Sequence, residues 1–225
     1  MTIAERWRAV AARVAAACER AGRPVGDVAI IAVSKTHPAE AIRDALAAGA
    51  TDFGENYAQE LAGKADELAG AGPLRWHFIG RLQRNKVRLV AGKVALIHAV
   101  DSVELATEIA RRAGAVQPIL LAVNVGGEAS KGGVTADDAP AVARALAGVA
   151  GSSLDGLMTM PPPADDPEAS RPHFLALRAL RDRLADQLGR PLPVLSMGMS
   201  HDFEVAIACG ATHVRIGTAI FGSRS

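Results

Sequence analysis

The chain has little cysteine, few aromatic residues, almost no net charge and no long apolar run, and each shortage closes off a class of protein. Its two cysteines, Cys18 and Cys209, both fall inside helical patterns, so no disulfide framework is expected and a reducing compartment is. The 25 basic and 24 acidic residues leave a net charge of +1 with both signs spread along the chain, which supplies no field to gather nucleic acid or an anionic membrane. No segment approaches the roughly 18 apolar residues of a spanning helix, and Met1-Thr2-Ile3-Ala4-Glu5-Arg6 has no apolar core of the signal-peptide kind. The expectation is a soluble, cytoplasmic protein that engages neither nucleic acid nor membrane. Tyr57 is the one tyrosine, a scarcity that bears on proton transfer below.

What is present is apolar sequence in short, regular blocks. With 225 residues, 49% of them hydrophobic, the chain can bury the core of one α/β domain over residues 1–225. A helix over 2–21 opens with the capping box Thr2-x-x-Glu5 and stops at Gly22 and Pro24. Strands are predicted at 29–33, 51–54, 76–79, 95–99, 119–123, 154–158, 194–197 and 213–216. Between them lie helices at 38–49, 57–68, 85–91, 101–113, 136–146, 166–188 and 200–209, and a glycine-rich loop over 126–133. Asp101 with Glu104, and Ser200 or His201, read as helix caps. Eight strands alternating with helices through right-handed crossovers close most naturally into a single (β/α)8 TIM barrel with an extra N-terminal helix. A doubly wound open sheet is the alternative. With no amphipathic face left over, the expected state is a monomer.

The strand ends are where a barrel carries its chemistry. Ala29-Ile30-Ile31-Ala32-Val33 is an apolar, β-branched run of the kind covered on both faces, and Lys35 stands just past it. Burial there would lower the lysine pKa and make a nucleophilic amine able to form a Schiff base with an aldehyde; snorkelling into water is the competing reading. The other ends supply Glu55, Asn56, Tyr57, His77, Gly80, His98, Asp101, Asn124, Met158, Thr159, Met199, Ser200 and Arg215. The last strand runs through Gly217-Thr218 into a short helix, where barrels bind phosphate with backbone N–H groups, and Ser200 is placed to add a hydroxyl. A phosphate cradle beside an aldehyde-reactive lysine on the neighbouring strand is what pyridoxal 5′-phosphate requires.

Six blocks in order carry a resemblance: Ala32-Val33-Ser34-Lys35-Thr36, Phe53-Gly54-Glu55-Asn56-Tyr57, His77-Phe78-Ile79-Gly80-Arg81-Leu82-Gln83-Arg84-Asn85-Lys86, Gly156-Leu157-Met158-Thr159-Met160, Leu195-Ser196-Met197-Gly198-Met199-Ser200, and Val214-Arg215-Ile216-Gly217-Thr218-Ala219-Ile220-Phe221-Gly222. Over nearly its whole length the chain resembles the pyridoxal phosphate homeostasis protein family, which has the fold of the N-terminal barrel of alanine racemase. The resemblance implies that Lys35 holds the cofactor as a Schiff base and that Ser200, Gly217 and Thr218 bind its phosphate. It also implies that Arg215 lies by the pyridine nitrogen and that Asn56 and His77 line the site. Storage, buffering or delivery of the cofactor is the implied role, with pyridoxal-phosphate-requiring apo-enzymes as transient partners.

Plainer readings compete at single positions. Asn56 fits a helix start, His77 a hydrogen-bonded core residue and Arg215 a rim ion pair. Arg81, Arg84, Lys86 and Arg88 fit a solvated face as well as an anion site. Asp165 and Asp166 fit helix capping before Pro167 better than metal binding. Met158, Met160, Met197 and Met199 suit either a soft wall under a planar ring or barrel filling. For enzyme chemistry a base on each face of the substrate carbon is required; Lys35 serves one face, and no second base is evident. An arginine at the ring nitrogen would also weaken the ring as an electron sink. The sequence therefore favours a cofactor carrier over a racemase-type enzyme or a Schiff-base aldolase.

Overall fold

In the computed structural model, which describes residues 1–127 and 132–222, the barrel closes. Helix α1 (Ile3–Arg20) starts on the predicted capping box, with the Thr2 side chain accepting from Glu5 N–H and Glu5 reaching back to the Thr2 backbone. It leads to β1 (Ala29–Val33), α2 (Ala39–Ala47), β2 (Asp52–Glu55), α3 (Ala58–Glu67) and β3 (Arg75–Phe78). Next come β4 (Leu96–Val100), α4 (Val103–Ala113), β5 (Gln117–Asn124), a two-residue β6 (Val134–Thr135), α5 (Ala139–Ala147) and β7 (Ser152–Met158). The chain ends with α6 (Arg171–Leu188), β8 (Val194–Met199), α7 (Phe203–Ala208), β9 (His213–Ile216) and the single turn α8 (Thr218–Phe221).

All pairings are parallel, in the order β4-β3-β2-β1-β9-β8-β7-β5, and β4 also pairs with β5 through Ile97 with Ile119 and Val100 with Leu121. That pairing turns the sheet into a ring of eight and removes both edges. Strand β6 hangs outside the ring on the end of β5.

Three local expectations change. The predicted helix at 85–91 is a 3₁₀ helix over Arg84–Leu89, and Ser102 rather than Asp101 caps α4, accepting from Leu105 N–H. Neither Ser200 nor His201 caps α7, whose N-cap is Asp202. The Asp202 carboxylate is instead occupied by Met199 N–H and the Ser170 hydroxyl. Asp166 does cap, accepting from Glu168 N–H. Within the glycine-rich loop, residues 128–131 lie outside the described residues, Lys131 among them. No described helix is long and apolar enough to cross a membrane.

Period-two alternation divides the buried side chains. Val214 and Ile216 of β9, like Trp76 and Phe78 of β3, face outward and join the large apolar layer under the helices. Their neighbours face inward. Inside the barrel a small apolar group of Leu96, Leu120, Ala122 and Met158 sits with a polar one formed by Asp52, His77, His98, Ser196 and Arg215, all buried.

Candidate functional site

A cavity of about 460 Å³ opens at the carboxyl ends of the strands, within the size range of small-molecule sites. It brings together Lys35, Asn56, Met199, Ser200, Arg215, Gly217 and Thr218 in one wall-and-floor arrangement, with Val33, Ile79, Ala122, Met158 and Met160 as apolar lining. His77 does not line it. Its place is deeper, in the buried polar group beneath Arg215, which agrees with the plainer reading of a hydrogen-bonded core histidine.

At one end of the cavity the backbone N–H groups of Gly217 and Ala219 converge on the Ser200 hydroxyl oxygen at 3.2 and 3.4 Å. No side chain caps the turn that follows, and it carries no acid, so nothing negative competes with an anion there. Strand β9 lies between β8, which brings Ser200, and β1, which brings Lys35. The predicted neighbourhood of lysine and N–H cluster is thus a consequence of ring closure.

Lys35 is partly buried and follows the fully buried Ser34. Its flanking peptide groups are held by Lys64 and Glu60, which sequence reasoning missed, together with Glu55 from the end of β2. Lys64 of α3, itself buried, donates to Ser34 C=O, Glu55 Oε1 and Glu60 Oε1, each at 2.7 Å. The Ser34 hydroxyl donates to Glu55 Oε1 at 2.7 Å, and Thr36 N–H donates to Glu60 Oε1 at 2.5 Å. Burial pushes the Glu55 carboxyl up, against the opposing hydrogen bonds from Lys64 and Ser34.

Arg215 forms part of the cavity floor, with its guanidinium fixed by the Ser196 hydroxyl and Thr159 C=O. Burial lowers its pKa to about 10, which leaves it a cation at neutral pH. Below it Ser196 Oγ meets His98 Nδ1 at 2.8 Å, His98 Nε2 meets His77 Nδ1 at 3.0 Å, and His77 Nε2 meets Asp52 Oδ1 at 2.9 Å. Burial opposes ionisation of Asp52, but hydrogen bonds from His77, Arg75 and Thr51 outweigh it and hold the carboxyl well below the usual range. The contacts form one continuous chain: the Arg215 guanidinium donates to the Ser196 hydroxyl oxygen, Ser196 meets His98, His98 meets His77, and His77 ends on the Asp52 carboxylate. A cation at the cavity floor is thereby tied through the barrel to an anion at its far end. Three of these residues, His77, Ser196 and Arg215, stood in the quoted sequence blocks, but their mutual contacts were not legible there.

Gly80 separates this cavity from a wider groove. A Cβ at Gly80 would lie 2.2 Å from the Asn56 carbonyl oxygen, so the glycine is required by the close approach of the two strand ends. Arg81, Arg84 and Lys86 line the groove together with Tyr57, which is 55% exposed and does not line the cavity. Arg88 lines neither.

The lysine, the converging N–H donors and the fixed arginine cation fit pyridoxal 5′-phosphate: a dianionic phosphate, a planar ring and an aldehyde have complementary groups in one cavity. Comparison with known proteins points the same way. The family model "Alanine racemase, N-terminal domain" matches residues 6–225. A pyridoxal phosphate homeostasis protein of Aquifex aeolicus is 48% identical over 227 residues, covering 100% of this chain and 99% of that one. Its counterpart in Pseudomonas aeruginosa is 48% identical over 226 residues, 99% of this chain and 96% of the other. Among solved structures, PipY of Synechococcus elongatus with pyridoxal phosphate bound superposes with a TM-score of 0.85 at 36% identity, covering 98% of this chain and 100% of that one. Alanine racemase of Corynebacterium glutamicum shares the fold at a TM-score of 0.71 and 20% identity, with 62% of its length covered. Full-length matches of this quality, on a barrel with this cavity, place the chain in the alanine racemase N-terminal domain family, among its pyridoxal phosphate homeostasis proteins.

Proposed function

We propose that the protein binds pyridoxal 5′-phosphate as a Schiff base on Lys35 and serves the intracellular homeostasis of that cofactor by storing, buffering or delivering it. The observation that carries the reading is the sharing of one cavity by Lys35, Ser200, Gly217, Thr218 and Arg215, with the Gly217 N–H directed at the Ser200 hydroxyl oxygen. When bound, the cofactor supplies an aldehyde that an amine can capture and a ring that serves as an electron sink if its nitrogen is protonated. Ser200, Gly217 and Thr218 hold the phosphate. Arg215, cationic and tied to Ser196 and Thr159, faces the ring nitrogen and opposes its protonation. Asn56 and Met199 line the ring's surroundings.

Tyr57, the only tyrosine of the chain, does not line the cavity, whereas His37, Asp101 and His201 do. Exposed Met160 and Met199 beside the mouth give an adaptable apolar rim against which apo-enzymes requiring the cofactor would dock transiently. The proposed setting is a cytoplasmic monomer.

Borohydride reduction after loading, followed by peptide mass spectrometry, tests the attachment point. A pyridoxyl adduct on Lys35 is expected, and Lys35→Ala should lose it while keeping its circular dichroism and a weaker, phosphate-dependent affinity. The stability of that variant should stay within about 1 kcal/mol of the parent, because a partly buried strand-end side chain contributes little core volume. An adduct that persists on Lys64, Lys86, Lys93 or Lys131 would locate the chemistry elsewhere.

A further inference from the structure

Thr36, immediately after Lys35, has φ +66 and is the sole described non-glycine residue with positive φ. It is also β-branched, the class least suited to that region. The carbonyl of Ser34 accepts from His37 N–H at 3.0 Å, so residues 34–37 form a turn in which Thr36 occupies the third position, where type II turns place glycine. A strained conformer of this kind persists only where surrounding groups over-determine it. Here they do so from both sides of Lys35. Lys64 Nζ grips Ser34 C=O, Glu60 Oε1 grips Thr36 N–H, and the same Lys64 ammonium joins Glu60 to Glu55, which in turn holds the Ser34 hydroxyl. Lys64 is buried although it belongs to a largely polar helix. A buried ammonium shared by two carboxylates contributes little stability over an apolar substitute, whereas it fixes geometry.

We infer that Lys64, with Glu60 and Glu55, is a positioning clamp that holds the strained 34–37 turn and so aims the Lys35 amine into the cavity. The inference rests on the reading of Lys35 as the covalent attachment point. Capture by the neutral amine forms a C=N bond between the Lys35 nitrogen and the aldehyde carbon as the C=O bond breaks, and the aldehyde oxygen leaves as water with the two amine hydrogens. The clamp takes no part in that exchange. Its effect is on the fraction of molecules whose amine is correctly placed before the aldehyde arrives.

Removing Lys64 would strand Glu55 in the interior and endanger folding, so the decisive variants lie at Glu60 and Thr36. Capture of pyridoxal 5′-phosphate is followed by stopped-flow absorbance and verified by borohydride trapping at Lys35. Amide hydrogen exchange of residues 34–37 is read in parallel on the cofactor-free protein. Glu60→Ala should slow capture about tenfold, the shift expected when a strained left-handed conformer loses its holding bond, and should speed exchange at Thr36. Glu60→Gln keeps an acceptor oxygen and should stay within about twofold of the parent. Thr36→Asn in the Glu60→Ala background should recover most of the rate, because asparagine tolerates the left-handed region without help. Unchanged capture and exchange in Glu60→Ala would overturn the clamp. A loss that neither Glu60→Gln avoids nor Thr36→Asn repairs would likewise reduce it to general structural damage. If the parent protein gave no adduct on Lys35, the underlying reading would fail, and the exchange measurements would still decide whether Glu60 holds the turn.

Discussion

Replacing His213 should change how the protein tolerates acid. His77, His98 and His213 form a triangle inside the barrel, with ring centroids 5.2, 6.0 and 6.1 Å apart. Burial lowers His213 from 6.5 to about 4, aided by the neighbouring His77, and drives His98 well below 6.5. Both groups are depressed in the folded state, so their stabilising contribution is complete above the unfolded value near 6.5 and is lost as pH falls towards the folded value. At pH 5 the unfolded chain carries a proton on residue 213 that the folded chain refuses. For a group titrating at 6.5 unfolded and about 4 folded, that difference costs about 2 kcal/mol relative to pH 7.5. His98 acts in the same direction, whereas Glu55, raised by burial, gains stability as pH falls. Comparing parent with His213→Gln cancels Glu55 and cancels His98 except for the lesser part of its depression that His213 itself causes. Urea unfolding at pH 7.5 and pH 5 should show the parent midpoint falling by about 1 M more than that of the variant, for a slope near 2 kcal/mol/M. Equal falls in the two proteins would refute the argument, because they would mean that residue 213 is already protonated in the fold or that its unfolded value is not near 6.5.

Three other outcomes follow from the site. Gly217→Asp sets a carboxylate among the N–H donors at Ser200 and should weaken retention of pyridoxal 5′-phosphate at least tenfold, while unphosphorylated pyridoxal is much less affected; equilibrium dialysis with both compounds decides it, and an unchanged preference would remove the phosphate assignment. If Arg215 opposes protonation of the ring nitrogen as proposed, the loaded protein in heavy water should exchange the α-proton of alanine far more slowly than enzymes do; deuterium incorporation at enzyme-like rates, seen by NMR, would favour the racemase-type reading. Gly80→Ala forces a methyl group to within 2.2 Å of the Asn56 carbonyl, which should destabilise the fold by about 1–3 kcal/mol in thermal or urea unfolding; parent-like stability would show that the two strand ends separate freely.

The order of strands and helices, the capping box at Thr2, the apolar run before Lys35 and the glycine at the end of β9 were all legible in the sequence, because local propensity and burial period fix them. The grouping of Lys35 with Ser200, Gly217 and Arg215 followed once the eight strands were taken to close. Closure itself rests on the pairing of Ile97 and Val100 with Ile119 and Leu121, a contact between two runs that look alike whether the sheet is open or shut. The depth of an inward residue was equally hidden: period two says that His77 faces the barrel interior but not that it lies below Arg215, since depth depends on strand stagger. Lys64 gave no local sign of burial. Its ammonium is matched by Glu55 and by the Ser34 carbonyl, 9 and 30 residues earlier in the chain, and a charge leaves water only where the folded chain brings such partners to meet it.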